Sequence, residues 1–368
     1  MILHRLKIDR FRNLHQVEFE PDPGFNILSG PNGHGKTNLV EAVSLLATLR
    51  SFRSFRNRDL IEREQNDSVI AATVQRGEQR RDVKVTIHSN GKRVELNSKP
   101  VRDLGLFFGQ LNTVTFSPED VGVFKASPAD RRLFFDRIIF NLTPAYAQEM
   151  NEYETALRSR NALLKVEHPE PALLEAWNEP LARAGAAVIH RRMRLLELLH
   201  ERFQSAFSEI FAADFQATLA YECAVMDAGE SGRTLEQTEQ RLRAELRATT
   251  SRDVARGFTG VGPHRDDFLA NLNGDPIRTW GSQGQHRAFV LALKTTEIRL
   301  LEQTLGFAPM LLLDDVSSEL DPERNARLFQ FLATFTGQVF ITTTDPSFIR
   351  IDSAARRWRV REGTIHEG

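Results

Sequence analysis

The spacing of apolar residues predicts a chain whose secondary structure changes twice. Up to about residue 125, apolar and polar residues mostly alternate with a period of two, which is typical of β-strands. One stretch after Thr37 differs, because its apolar residues have helical spacing at positions 39, 40, 43, 46 and 49. The pair Asn90–Gly91 separates two alternating stretches and predicts a hairpin turn.

A helical region follows, from residue 126 to 257. Its apolar residues recur at spacings of three and four between residues 174 and 210, which predicts a long amphipathic helix with an interruption at Pro180. The stretch "TLEQTEQRLRAELRATTSRD" predicts a second, more polar helix. These helices could project as an arm or form an ordinary helical subdomain. The short, irregular pattern favours the subdomain, because coiled-coil arms need sustained heptads.

Strands return after residue 258 in "DDFLANLNG", "MLLLDDV" and "GQVFITTT". Apolar strands at both ends of the chain predict a mixed sheet built from both. The expected fold is therefore α/β, with a discontinuous head of residues 1–125 and 258–368 and an inserted helical lobe of residues 126–257.

Composition narrows the class of protein only slightly. The 368 residues include 48 Lys and Arg against 49 Asp and Glu, so DNA binding would need local basic patches. The single cysteine cannot form an internal disulfide, which is consistent with a reducing, cytoplasmic location. No apolar run approaches the roughly 18 residues of a membrane-spanning helix. We expect a protein without a membrane partner.

The stretch "GPNGHGKT" predicts a phosphate-binding loop, because it follows an apolar strand and opens a helix. Backbone N–H groups and the helix N-terminus would hold the phosphates of ATP, Lys36 would bridge the β and γ phosphates, and Thr37 would bind Mg²⁺. The predicted ATP-binding residues here are Gly30, Pro31, Asn32, Gly33, His34, Gly35, Lys36, Thr37 and Asn38.

Two carboxylates follow the apolar run in "MLLLDDVSSELD". Ligands of open α/β folds bind at the carboxyl ends of strands, so this pair is expected beside the phosphate loop. Asp314 would contact Mg²⁺ through water, and Asp315 would orient or deprotonate the attacking water. Alone, such a pair is more often a charged surface turn.

The stretch "WGSQGQHR" places a second glycine-polar turn before a helix. Ser282, Gln283, Gly284 and Gln285 could bind an anion at that helix N-terminus. Because one triphosphate already has its own loop, the turn would face the γ-phosphate held by a second protomer in an ATP-dependent homodimer. The simpler interpretation is a helix cap without a ligand, and the turn alone favours it.

Basic residues suggest two further contacts. Arg50, Arg53, Arg56 and Arg58 are interleaved with Phe52 and Phe55, a composition that can contact DNA phosphates and unpaired bases. The same run could instead touch nucleotide or form a solvated surface. Arg12 could reach a phosphate from the first strand turn, or it could be a solvated strand-end arginine.

The order of "GPNGHGKT", "SQGQHR", "LLLDDVSSELD" and "TTTD" resembles the ABC-type ATPase heads of the SMC group. "FRNL", "FSPEDVGVFKASPADRRLFFD" and "GVGPHRDDF" resemble the RecF family of bacterial recombination-repair proteins. These stretches run from residue 11 to 345. The resemblance therefore covers essentially the whole chain.

The resemblance implies a set of roles. Residues 30–37 would be the Walker A loop, Asp314 and Asp315 the Walker B pair, and residues 282–287 the signature turn that caps the partner's ATP. Residues 318–321 would be the D-loop, and Gln110 the Q-loop residue near Mg²⁺. Thr344 and Asp345 stand where transporter ATPases carry histidine, and His34 and His286 stand where the family pattern has glutamine.

The resemblance also implies a function. A weak, DNA-stimulated ATPase would dimerise on ATP, bind gapped or junction DNA, and be released by slow hydrolysis. RecR, with RecO, would be its partner in loading RecA past single-strand-binding protein. An ATPase subunit of a membrane ABC transporter would need the missing histidine, an SMC-type chromosome protein would need long heptad arms, and a metabolic P-loop kinase would not need the Ser282 turn.

Overall fold

The computed structural model describes residues 1–54, 56–211, 215–225, 234–316, 322–346, 349 and 355–368. Chain contacts divide it into two compact units, residues 1–122 with 287–368 and residues 123–286. The chain returns to the first unit at residue 287, later than the residue 258 expected from the sequence.

The first unit contains two sheets. The strands of its antiparallel sheet have the order β2-β1-β4-β5-β6-β7. The bounds of these strands are β1 Ile2–Phe11, β2 Leu14–Phe19, β4 Asp67–Arg76, β5 Gln79–His88, β6 Gly91–Leu96 and β7 Lys99–Pro100. Strand β4 alternates buried and half-buried residues along its length, as expected for a strand with one face on the core. The predicted hairpin is present, but its turn lies one residue earlier than expected, because His88 pairs with Gly91 and leaves Ser89 and Asn90 as the turn residues.

The other sheet combines strands from both ends of the chain, in the order β15-β14-β3-β13-β12-β8. Its strands are β3 Phe25–Ser29, β8 Thr113–Phe116, β12 Met310–Asp314, β13 Val339–Thr343, β14 Ala355–Arg361 and β15 Thr364–Glu367. All pairings except β14 with β15 are parallel. Every residue of β12 and β13 is buried, which explains their continuous apolar runs. The parallel pairing aligns the carboxyl ends of β3, β13, β12 and β8 at one edge.

Helix α1, Lys36–Thr48, packs against strands of both sheets. Most of its residues are buried, including Leu39, Val43 and Leu46. A helix that is covered on both sides must be apolar almost all round, which is the pattern seen after Thr37. The first unit also contains α2, Pro118–Val121, most of α9, Gln283–Leu305, and α10, Pro322–Thr334.

The second unit is largely helical. Its helices are α3 Pro128–Leu142, α4 Tyr146–Leu163, α5 Pro171–Ile210, α6 Leu235–Ala248, α7 Thr250–Arg256 and α8 Ile277–Trp280. The interruption predicted at Pro180 is wrong, since α5 continues through it. Pro180 cannot donate to the carbonyl of Ala176, but Ala176 is exposed, so water can satisfy that oxygen.

A small antiparallel sheet of the second unit has the order β11-β10-β9, formed by β9 Ala217–Glu222, β10 Asp267–Leu272 and β11 Asp275–Pro276. The sequence grouped the stretch of β10 with the strands of the head sheet, and that assignment is wrong. Charged side chains lie buried beside this sheet. Arg192 makes paired contacts of 2.9 Å with both oxygens of Asp136, whose Oδ1 also accepts from Tyr146 at 2.7 Å.

His264 is half-buried in the same region and makes two hydrogen bonds. Its Nδ1 lies 2.5 Å from the Tyr153 hydroxyl, and its Nε2 lies 3.0 Å from the carbonyl oxygen of Thr259. Burial lowers the pKa of His264 to about 4, and the neighbouring Arg265 and Arg132 add to the effect. The fold therefore holds a neutral imidazole.

This histidine predicts a pH-dependent stability. A folded pKa below the unfolded value stabilises the fold above about pH 6.5, and that contribution is lost as pH falls toward 4. Replacing His264 with Asn should flatten the decline of the unfolding free energy between pH 7 and 4, by up to about 3 kcal/mol. Urea unfolding at a series of pH values measures the slope. The exposed His200→Asn should leave it unchanged, and an unchanged slope in His264→Asn would contradict the assignment.

Candidate nucleotide-binding site

The predicted phosphate loop lies between the end of β3 and the start of α1. Two of its glycines are required by the close approach of other chain segments. A Cβ on Gly30 would stand 2.2 Å from the carbonyl oxygen of Val360, and one on Gly35 would stand 2.7 Å from Leu14. Gly35 also has a φ of 111°, which only glycine adopts without strain. The loop conformation is therefore specified by the sequence.

Lys36 reaches back across this loop. Its Nζ donates to the carbonyl oxygens of Gly30 at 2.7 Å and of Pro31 at 2.8 Å. Burial lowers the pKa of Lys36, and the carboxylates of Asp315 and Asp314 oppose that shift. The ammonium group is thus close to both carboxylates, at the position where phosphate oxygens meet the N-terminus of α1.

Asp314 joins the phosphate loop to the strand edge. Its Oδ1 accepts from the Thr37 hydroxyl at 2.9 Å and from the Thr342 hydroxyl at 2.8 Å. Burial raises the pKa of Asp314, while the two hydroxyl donors lower it. The parallel register pairs Asp314 with Thr342, so the last residues of β12 and β13 meet beside α1.

Asp315 follows with a left-handed backbone, at φ 48°. Its N–H donates to the Thr342 hydroxyl at 2.9 Å. Left-handed conformation is uncommon for residues other than glycine, and it turns the chain sharply at the strand end. Asp315 therefore lies on the same edge as Asp314, which agrees with the expected neighbourhood of this pair.

The donor set fits a magnesium ion. Thr37 and Asp314 offer a hydroxyl and a carboxylate oxygen, the ligand type that Mg²⁺ prefers, and Mg²⁺ in nucleotide sites takes its remaining ligands from phosphates and water. Among the described residues, no group of three or more His, Cys, Asp or Glu side chains could hold a metal by itself. Such a site would therefore need the nucleotide.

Polar side chains brace the loop from outside. Asn13 Nδ2 donates to the carbonyl oxygen of Gly33 at 2.8 Å, and Asn38 Nδ2 donates to Asn13 Oδ1 at 2.6 Å. His34 Nδ1 accepts the N–H of Glu362 at 3.0 Å. The side chains of Asn38 and His34 thus have roles in holding the loop, while Pro31 and Asn32 are exposed at its tip.

Arg12 is held by a buried carboxylate. Its Nε and Nη2 donate to the two oxygens of Glu41 at 2.5 and 2.6 Å, and its Nη1 donates to the carbonyl oxygen of Asp59 at 3.2 Å. Its side chain is only 18% exposed. The alternative of a solvated strand-end arginine is therefore wrong, whereas a phosphate contact stays a prediction.

Gln110 does not lie at this edge, contrary to the expectation of a residue near Mg²⁺. It precedes β8, so it lies at the amino end of the strand, whereas Asp314 lies at the carboxyl end of the parallel β12. Gln110 instead contacts Arg81 and donates to the carbonyl oxygen of Leu106 at 2.8 Å. The residues that follow β8 are the ones that lie beside Asp314, at the carboxyl edge of the sheet, which is called the nucleotide edge below.

Glu119, in α2 just after β8, is one such residue. It lies close enough to Asp314 to raise the pKa of that carboxyl, and its Oε1 is 3.8 Å from Arg53. The sequence analysis missed Glu119, Glu41 and Thr342. The direction of β8 could have indicated Glu119, and the "TTT" at the end of a buried strand could have indicated Thr342.

All four predicted arginines are exposed. Arg53 also contacts α1, where its Nη1 donates to Asn38 Oδ1 at 3.0 Å. Lys92 of β6 lies close to Arg50. Burial lowers the pKa of Lys92, and the nearby charge of Arg50 lowers it further. Phe52 is buried, and Phe55 is outside the described residues.

The Ser282 turn, residues 282–285, caps α9. The Ser282 N–H donates to Gln285 Oε1 at 2.7 Å, and the Gln285 N–H donates to Ser282 Oγ at 3.2 Å. This reciprocal pair is a capping box. Ser282 and Gln283 are exposed, and Gly284 is half-buried. The cap is therefore present, and the exposed serine remains accessible to a second molecule.

Two further predictions concern the D-loop and the pair of Thr344 and Asp345. The proposed D-loop, residues 318–321, is outside the described residues. Thr344 and Asp345 follow β13 on the nucleotide edge, and the Thr343 hydroxyl donates to the Asp345 carbonyl oxygen at 2.9 Å. Thr342, and not either of these two residues, makes the contact with Asp314.

Together, the loop between β3 and α1, the buried Asp314 and the mixed sheet define an ABC-type P-loop ATPase head. The family model described as "RecF/RecN/SMC N terminal domain" matches residues 2–365. The chain is 41% identical to the DNA replication and repair protein RecF of Geobacter sulfurreducens, over 99% of each chain. It is 42% identical to that of Myxococcus xanthus, over 95% of this chain and 92% of the relative. The chain belongs to the RecF family.

Solved structures agree with this assignment. A structure described as the recombination mediator protein RecF-ATP in the RecFOR pathway has 31% identity and a TM-score of 0.91, covering 100% of this chain and 97% of that one. An Smc head domain from Pyrococcus furiosus shares the fold alone, at 16% identity and a TM-score of 0.54. The predicted α/β ABC-type fold is confirmed.

Across the described part of the chain, no helix is both long and apolar enough to cross a membrane.

Thr342 provides a test of the site geometry. Replacing it with Val keeps the side-chain shape but removes the donor to Asp314 and the acceptor of the Asp315 N–H, so the two carboxylates lose part of their orientation. We expect Mg²⁺-dependent ATP hydrolysis to fall about tenfold, with a smaller change in nucleotide affinity. Steady-state hydrolysis at varied Mg²⁺ measures this effect.

The neighbouring Thr343 supplies the matched control. It is equally buried, but its hydroxyl donates to Asp345 and not to Asp314. Thr343→Val should therefore keep most of the activity. Equal losses in the two variants would mean that the strand, and not the contact with Asp314, is what the substitution disturbs.

Proposed function

We propose that the protein is an ATP-dependent DNA-binding switch of recombinational repair. The observation that carries this proposal is the joining of Lys36, Thr37, Asp314 and Asp315 at one sheet edge in a chain of the RecF family. The RecF relatives are named as DNA replication and repair proteins, and a solved RecF structure is described with ATP. Those names support the same role here.

Different residues of the site would bind the phosphates of ATP, bind Mg²⁺ and orient the attacking water. Backbone N–H groups at residues 30–37 and the N-terminus of α1 bind the phosphates, and the Lys36 ammonium neutralises the β and γ oxygens. Thr37 and Asp314 would hold Mg²⁺, which would supply charge neutralisation when bound. Asp315 lies next to Asp314 and would orient the attacking water as a general base.

The Ser282 turn would complete the site of a second protomer. Its serine and the N-terminus of the 23-residue helix α9 are exposed anion-binding groups. A closed two-fold dimer would bring each turn to the partner's γ-phosphate, with two ATP molecules between the protomers. Hydrolysis removes that phosphate and would open the dimer. Turnover would be slow, because its role is to reset the switch.

The DNA and protein partners follow from the family. The ATP-bound dimer would recognise gapped DNA or a junction of single and double strands, and the exposed Arg50, Arg53, Arg56 and Arg58 are candidates for phosphate contacts. RecR, together with RecO, would connect it to RecA loading past single-strand-binding protein. The name RecFOR in the descriptions of related structures supports this pathway.

Sedimentation of three proteins tests the switch. Each is run with and without ATP–Mg²⁺ and a gapped duplex. We expect wild type to dimerise with ATP, Lys36→Met to lose nucleotide binding, and Ser282→Arg to bind ATP but remain monomeric, because its long cationic side chain blocks the contact in trans. A dimer of normal affinity in Ser282→Arg would show that the turn is only a helix cap.

A further inference from the structure

Glu41 is a fully buried carboxylate in the helix that carries the phosphate loop. It lies on α1, one turn after Thr37, with 0% exposure. A buried carboxylate is stable only when its oxygens are paired. Arg12 pairs with both oxygens, and the Ser51 hydroxyl donates to Oε1. These contacts link three separate chain segments: the turn between β1 and β2, helix α1, and the stretch that begins at Arg50 and carries the predicted arginines.

Ser51 also fixes the start of the arginine segment, whose described residues are 50–54 and 56–58. Its hydroxyl oxygen accepts the N–H of Arg53 at 2.9 Å and the N–H of Ser54 at 2.8 Å. The hydroxyl therefore donates to Glu41 and accepts from two backbone groups at once. Because its hydrogen-bonding capacity is filled, the path of the segment depends directly on where the Glu41 carboxylate lies.

The far end of the arginine segment is tied to the same carboxylate. Arg12, clamped by Glu41, donates through Nη1 to the carbonyl oxygen of Asp59 at 3.2 Å. The Asp59 side chain in turn accepts from the Ser54 hydroxyl at 2.6 Å. Both ends of the segment are thus held by Glu41, through Ser51 at one end and through Arg12 at the other.

Arg53 carries the contact back to the nucleotide edge. Its guanidinium lies 3.8 Å from Glu41 and 3.8 Å from Glu119, and its Nη1 donates to Asn38 at 3.0 Å. Arg53 also acts on Asp314, whose pKa it lowers. A change in charge or position near Asp314 would therefore reach the arginine segment through the contacts of Arg53.

We propose that Glu41 is a positioning residue that couples nucleotide binding to DNA binding, with Ser51 as its link to the arginine segment. Charge arriving at the phosphate loop shifts α1 and Arg53, and the shared carboxylate passes that shift to the exposed arginines. The inference rests on the proposed function, because it needs both ligands to bind. The competing interpretation is that Glu41 only braces the fold.

Coupling is a measurable ratio and is reciprocal between two ligands. We would measure the affinity for a gapped duplex with and without adenylyl imidodiphosphate, and the affinity for the nucleotide alone. The ratio of the two DNA affinities is the coupling. A residue that only braces the fold would change stability or either affinity, but would leave this ratio as it is.

Ser51→Ala is the primary variant, since it removes the link and leaves the pair of Glu41 and Arg12 intact. We expect the coupling ratio to fall about fivefold toward one. Nucleotide affinity without DNA should stay within about twofold of wild type, because no phosphate-loop group changes. Ser51→Thr keeps the hydroxyl and should restore the ratio.

Ser44→Ala is the matched control. Ser44 is another buried serine, on α1 itself, and its hydroxyl contacts Thr115 and not Glu41. It should retain the full ratio. The proposal is overturned if Ser51→Ala retains the wild-type ratio, if Ser44→Ala loses as much, or if Ser51→Thr fails to restore it.

The failure of the proposed function gives a different result. If wild type binds neither nucleotide nor DNA, the proposed function fails, and the coupling fails with it. If wild type binds both ligands with a ratio of one, the proposed ligands stand and only the coupling is wrong.

Discussion

The hydrogen bonds of Asp314 to Thr37 and Thr342 are the constraint on which the site depends. They join residues 277 and 28 positions apart in the chain. Parallel pairing of β3, β13 and β12 is what brings these residues to one edge, since the carboxyl ends of parallel strands must coincide. Any arrangement that displaced one strand would separate the Thr37 hydroxyl from the Asp314 carboxylate.

This constraint has an electrostatic consequence. Asp314 is almost completely buried, and burial disfavours its charged form, so the two hydroxyl donors and nearby Lys36 must hold the carboxylate ready for a cation. A buried ammonium beside a buried and a half-buried carboxylate is an arrangement that would suit added phosphate and metal charges. Glu41, Arg12 and Arg53 extend the same charge network toward the exposed arginines.

The phosphate loop and the strand before Asp314 could be predicted from the sequence, because their motifs dictate the backbone geometry. Gly30 and Gly35 are required by contacts at 2.2 and 2.7 Å, and the apolar run before Asp314 predicts a buried strand that ends in carboxylates. The α/β head with strands from both chain ends was also predictable, because continuous and alternating apolar patterns differ between parallel and antiparallel sheets.

Residues that act through long-range contacts were harder to predict. In the sequence, Glu41 resembles any polar residue of a helix, because the partners that hold its buried carboxylate are 29 and 10 positions away. Gln110 was placed at the site without considering strand direction, which puts it at the opposite end of β8 from the nucleotide edge. Pro180 predicted a break, but α5 continues through it, and the residue one turn earlier, Ala176, is exposed.

The central claim is that each nucleotide site is completed by the Ser282 turn of another molecule, and mixing two inactive variants tests it most directly. In a dimer of Lys36→Met with Ser282→Arg, one site keeps an intact phosphate loop and faces an intact turn. Since neither variant dimerises alone, the dimers in an equimolar mixture should all be mixed, each with one complete site of two, and should recover up to about half of the wild-type ATP hydrolysis. No recovery above the separate variants, or full hydrolysis by Ser282→Arg alone, would contradict the account.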